Sequence, residues 1–131
     1  MKKPIIFLAI VFTLAMLGCK SDTKETAKIV TPEEMQTLLN LEDVQLVDVR
    51  TPEEFSEGYI ENAQNIDFKS PTFDEDIKKL DKSRPVIVYC KSGTRSAKSA
   101  KKLIEAGFEK VYDLEGGITE WKYKGLDVIV H

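Results

Sequence analysis

PVIVYCKSGTRS, residues 85–96, decides the fold. Residues 85–89 (PVIVY) are uncharged, rich in β-branched side chains and bounded by Arg84-Pro85, which marks a strand buried on both faces. The next seven residues, Cys90 to Ser96, carry no apolar side chain apart from the cysteine itself. A helix is expected from about Arg95 to Ala106, stopped by Gly107. Strand, polar loop and helix in succession form part of a βαβ unit. Ligands of such sheets sit beyond the carboxyl ends of the strands, where Cys90 lies.

The same alternation continues outward. Thr31-Pro32-Glu33-Glu34 is a helix start, with Thr as N-cap, Pro in the first turn and Glu placed to close a capping box. Met35, Leu38 and Leu39 then supply an apolar stripe at helical spacing. Residues 44–49 read as a buried strand, and Thr51-Pro52-Glu53-Glu54 repeats the helix-start signature, with Phe55 turned inward. Residues 63–66 form a short strand and residues 73–80 a helix with Phe73, Ile77 and Leu80 on one face. Beyond Gly107 come a strand at 111–114, a Gly116-Gly117 turn, a helix at 118–123 carrying Trp121, and a terminal strand at 128–130. The expected fold is α/β: one domain, a mainly parallel central sheet of about five strands, and helices on both faces.

Composition agrees with a single domain. Of 131 residues, 42% are hydrophobic and 31% charged, a globular balance, and the net charge of −3 gives no basic stripe for nucleic acid. The first residues stand apart. Lys2 and Lys3 precede an apolar run at 5–17, shorter than the roughly 20 residues a spanning helix needs. Leu17-Gly18-Cys19 then resembles the lipobox of bacterial lipoproteins, although Met16 and Leu17 are bulkier than the usual pattern. The expected organisation is a signal peptide at 1–18, cleaved before a lipidated Cys19, a flexible tether at 19–28 and the folded domain at 29–131. That places the protein in the extracytoplasmic bacterial envelope, in the periplasm or at the outer membrane, touching membrane through its lipid only.

Cys19 and Cys90 are the only cysteines. With Cys19 lipidated, the exported domain keeps one thiol and no internal disulfide, which itself points to a role for Cys90. Its loop has the composition that lowers a thiol pKa: backbone N–H groups free to turn inward, the positive charges of Lys91 and Arg95, and Gly93 to permit a tight cradle. A buried structural cysteine ending a strand is the plainer alternative, and the polar run after it argues against that.

Three segments in order, LVDVRTPEEFSEGYIENAQNI (46–66), VIVYCKSGTRSAKSAKKL (86–103) and LEGGITEWKYKGLDV (114–128), resemble the single-domain rhodanese family, over nearly the whole span from Ile29 to Val130. The resemblance implies a sulfurtransferase in which Cys90 forms the persulfide and Lys91, Ser92, Gly93, Thr94 and Arg95 surround it, with Arg95 orienting an anionic donor. Asp48 and Arg50 match the family's aspartate-x-arginine and are read as an ion pair bracing the loop, with Ser96 also in support. Trp121 and Gly116-Gly117 are read as packing and turn, Lys98, Lys101 and Lys102 as a solvated helix face, and His131 as uninvolved in catalysis. Gly58-Tyr59-Ile60 departs from the family's frequent Gly-His-Ile. The implied partners are a small anionic sulfur donor such as thiosulfate and a thiol, cyanide or protein acceptor; no metal or organic cofactor is implied. Two rivals differ in class. Cysteine phosphatases need a loop one residue longer between Cys and Arg, and a non-catalytic or redox-sensing binding module of the envelope would use the scaffold without turnover.

Overall fold

The computed structural model describes residues 26–41 and 43–131; the expected signal peptide and Cys19 lie outside the described residues. Five parallel strands, β1 (Lys28–Val30), β2 (Gln45–Asp48), β3 (Gln64–Asn65), β4 (Val86–Tyr89) and β5 (Val111–Leu114), form one sheet in the order β1-β5-β4-β2-β3. The connecting helices are α1 (Pro32–Leu41), α2 (Pro52–Ser56), α3 (Phe73–Ile77), α4 (Thr94–Glu105) and α5 (Gly117–Tyr123). The α/β architecture expected from the alternating pattern is the one observed.

β4 lies at the centre because every one of its side chains can be buried. Strand alternation sends Val86, Val88 and Cys90 to one face, where they join Leu103 and Ala100 of α4 and Phe73 and Ile77 of α3. Ile87 and Tyr89 point the other way, to Met35 of α1 and Ile118 and Trp121 of α5. Cys90 therefore faces α4 by parity alone.

Two expectations need correction. Lys28 was placed in the tether, yet it opens β1, pairing with Tyr112, and Ala27 already packs on the core. Three residues with an exposed lysine and isoleucine carry no alternation strong enough to read; the edge of β5 recruits them. The strand expected at 128–130 is a single antiparallel bridge between Ile129 and Tyr59. The tail leaves α5 on the Trp121 face of the sheet, where Leu126 and Val128 pack, and so meets the turn at Gly58 rather than a sheet edge.

Asp48 and Arg50 are buried together where β2 ends. The Arg50 guanidinium grips the Asp48 carboxylate at 2.7 Å and donates to the Gly58 carbonyl at 2.6 Å. The Asn65 amide bonds the carbonyls of both Asp48 and Arg50, at 3.0 and 2.8 Å. Removing one partner of such a pair leaves the other charged and desolvated. Arg50→Ala is expected to destabilise the fold by about 3–5 kcal/mol, read as a lower midpoint in urea.

Candidate active site

The thiol of Cys90 lies at the floor of a loop, with the residue only 1% exposed. The Gly93 N–H donates to its sulfur at 3.1 Å, and the Ser96 hydroxyl oxygen lies 3.5 Å from it. Gly93 takes φ +123°, as a tight cradle requires of the glycine there. Burial pushes the Cys90 thiol up, but the Ser96 hydroxyl and the N–H groups of Ser96, Gly93 and Ser92 outweigh it, and the net shift is downward. The loop thus favours an anionic sulfur, as its composition predicted.

What turns those donors inward lies outside the loop. The carbonyls of Cys90 and Lys91 accept from Ile118 N–H at 2.9 Å and Thr119 N–H at 3.1 Å, at the start of α5. In a planar trans peptide the N–H points opposite to the C=O, so drawing the Lys91 carbonyl toward α5 turns the Ser92 N–H toward the sulfur. Gly117 makes this approach possible. It sits at φ +60°, and a Cβ there would meet the Cys90 and Lys91 carbonyl oxygens at 2.5 Å. The glycine doublet read as a turn is thus also the contact that shapes the site.

Arg95 opens α4 beside the loop, but its guanidinium is engaged. It holds Glu54 of α2 through two bonds, of 2.6 and 2.9 Å. Glu54 also closes the capping box of α2, its carboxylate accepting from the Thr51 N–H at 3.3 Å. Bonding to Arg95 is the chief reason its carboxyl falls to about 2. Arg95 therefore acts first as a clamp between α2 and α4, where the sequence had it orienting a donor. The Asp48–Arg50 pair braces the turn leading into α2, and through it Glu54, rather than touching the cysteine loop. Lys91, Ser92 and Thr94 present exposed side chains at the rim. His131 lies beside Tyr59, its ring nitrogen 2.8 Å from the phenol oxygen.

A rhodanese-like domain model matches residues 31–124. The chain belongs to the rhodanese family. It is 36% identical to a sulfurtransferase of Allochromatium vinosum over 72% of this chain and 86% of that one. It is 38% identical to the thiosulfate sulfurtransferase GlpE of Coxiella burnetii over 65% of this chain and 78% of that one. A tRNA uridine(34) hydroxylase of Cytophaga hutchinsonii is 39% identical over 76% of this chain, which spans only 33% of that enzyme. Among solved structures, a rhodanese-related protein of Thermoplasma volcanium superposes with a TM-score of 0.71 at 28% identity, over 79% of this chain and 99% of that one. Rhodanese-family membership supports sulfurtransferase activity in the broad sense.

The sequence reading missed Glu54 and Gly117 as parts of the site. Each already had a sufficient local explanation, a capping box and a turn, and nothing in the sequence couples them to residues 41 and 27 positions away. Gly117→Ala is expected to cost more than about 1 kcal/mol in urea unfolding, since the native φ is positive, and to slow alkylation of Cys90 by misaligning the loop donors. Glu54 supplies a pH signature. A carboxyl whose folded pKa is depressed stabilises the fold above its ordinary value of 4.5, and that contribution is lost as the pH falls toward about 2. Glu54→Gln is expected to flatten the loss of stability across that acid window, read from urea midpoints at successive pH values.

Proposed function

We propose that the protein moves sulfane sulfur through a persulfide on Cys90, with thiosulfate as a donor and an external thiol, cyanide or protein cysteine as acceptor. The observation that carries this reading is the set of loop donors aimed at Sγ, led by Gly93 N–H at 3.1 Å. Cys90 thiolate attacks the outer sulfur of thiosulfate, a new S–S bond forms, and sulfite leaves with the electron pair of the bond that breaks. The loop N–H groups that hold the thiolate then hold the terminal sulfur anion. An acceptor nucleophile takes that sulfur, and the thiolate returns.

Burial supports a small donor. At 1% exposure, Cys90 admits the single projecting sulfur of a thiosulfate-sized anion more readily than a bulky ester. With Arg95 held by Glu54, the donor's charge falls to the loop N–H groups and the rim residue Lys91. The thiosulfate preference is further supported by the likeness to the thiosulfate sulfurtransferase of Coxiella burnetii. Among the described residues Cys90 is the one free cysteine, so the persulfide passes to another molecule instead of resolving within the domain. We extend the proposal to location: the Leu17-Gly18-Cys19 sequence anchors the domain by lipid to the bacterial envelope, as acyl mass on Cys19 in native membranes would show.

Incubation with thiosulfate is expected to add the mass of one sulfur to Cys90 and to support cyanide-dependent turnover, and Cys90→Ser is expected to abolish both. Wild-type protein that gains no sulfur and turns nothing over would instead favour a binding module on this scaffold.

A further inference from the structure

Asp113 has no part in the chemistry so far, and it lies where a charge is hard to keep. It is the third residue of β5 and only 7% exposed. Its Oδ1 has no hydrogen-bond partner among the described residues, and no lysine or arginine there forms an ion pair with it. A buried carboxyl without a partner is costly, and a partner supplied from outside the chain accounts for its presence.

Register says what surrounds it. Asp113 pairs with Val88 of β4 and Ile29 of β1. Residues paired laterally across a sheet share a face, and Val88 packs with Ala100 and Leu103, so Asp113 and Ile29 also face α4. There they line a cleft of about 500 Å³ with Ala97, Ala100 and Ile104 of α4. β1 is the edge of the sheet, only three residues long, and its Ile29 is 65% exposed. Alanine at both 97 and 100 leaves the space between helix and edge strand unfilled.

A cavity of this size, with apolar walls and one well-placed polar group, has the make-up of a small-molecule site. Its exposed charges, Lys101 and Glu105, have opposite signs and stand four residues apart on α4, so between them they favour neither cation nor anion. The sign of the ligand is set inside, by Asp113. Burial holds that carboxyl above its ordinary value, and a cation beside it would favour the ionised form again. The walls call for an apolar body, and the lone oxygen calls for an N–H donor, strongest when charged.

We propose that this cleft binds a small organic ammonium, its apolar body against Ile29, Ala97, Ala100 and Ile104 and its protonated nitrogen on Asp113 Oδ1. No residue from Cys90 to Ser96 lines the cleft, so the ligand sits beside the cysteine loop without covering it. α4 serves both places, its start closing the loop and its later turns walling the cleft. Binding here is independent of the sulfur chemistry.

The probe is hexylammonium, titrated into the full chain near neutral pH, with binding read from the amide resonances of Ile29, Ala97 and Asp113. It is expected to bind at least about tenfold more tightly than hexanol, which lacks the charge, and than hexanoate, which reverses it. Shortening the alkyl chain is expected to weaken binding by roughly fourfold per methylene, as burial of the body requires. Asp113→Asn is expected to lose at least about tenfold in hexylammonium affinity and to bring it level with hexanol. Ala97→Leu, at an exposed position that tolerates a larger side chain, is expected to fill the cleft and abolish binding. That variant and the comparison of probes carry the test should Asp113→Asn fail to fold. Failure of hexylammonium to bind, equal binding of hexanol or hexanoate, or an affinity unchanged in either folded variant would overturn the proposal.

Discussion

Two hydrogen bonds at the start of α5 set the conditions for everything at the sulfur. Ile118 and Thr119 draw the carbonyls of Cys90 and Lys91 away from the loop centre, and peptide planarity turns the following N–H toward it. A buried sulfur would ordinarily be a poor anion, because desolvation favours the thiol. Here several donors from one short loop reverse that preference, and they can do so only while α5 sits this close. Gly117 is therefore as much a condition of the chemistry as Cys90, although it never touches a substrate.

The second requirement is that α2 and α4 keep their separation, and charge accomplishes this. The buried Asp48–Arg50 pair fixes the turn after β2, that turn presents Glu54, and Glu54 grips Arg95 at the start of α4. Arg50 also lies over the ring of Tyr89, the residue before Cys90, at 5.9 Å. Tyr89 in turn accepts the Ile60 N–H at 3.0 Å through its phenol oxygen. Of these residues only Arg95 reads as donor-binding in sequence, and together they form a frame around the buried sulfur.

Other proteins join this kind of domain to larger chains, as the tRNA uridine(34) hydroxylase of Cytophaga hutchinsonii shows by its length. The part shared with that enzyme is a stretch of 102 residues, 76% of this chain. In this chain the rim carries exposed Lys91 and Thr94, and the stacked rings of Phe55 and Tyr59 (centroids 4.2 Å apart) stand where the chain leaves α2.

The α/β order, the central strand and the position of Cys90 at its carboxyl end were legible in the sequence, because strand and helix periodicity are local properties and one buried strand dictates its neighbours' layers. The helix start at Thr51, the glycine at the cradle and the ion pair two residues apart were legible for the same reason. Partners distant in sequence were not. Lys28 belongs to a strand only because β5 offers an edge; Arg95 faces Glu54 only because α2 and α4 converge. Local chemistry therefore identified the nucleophile, and tertiary packing decided which groups hold its charge.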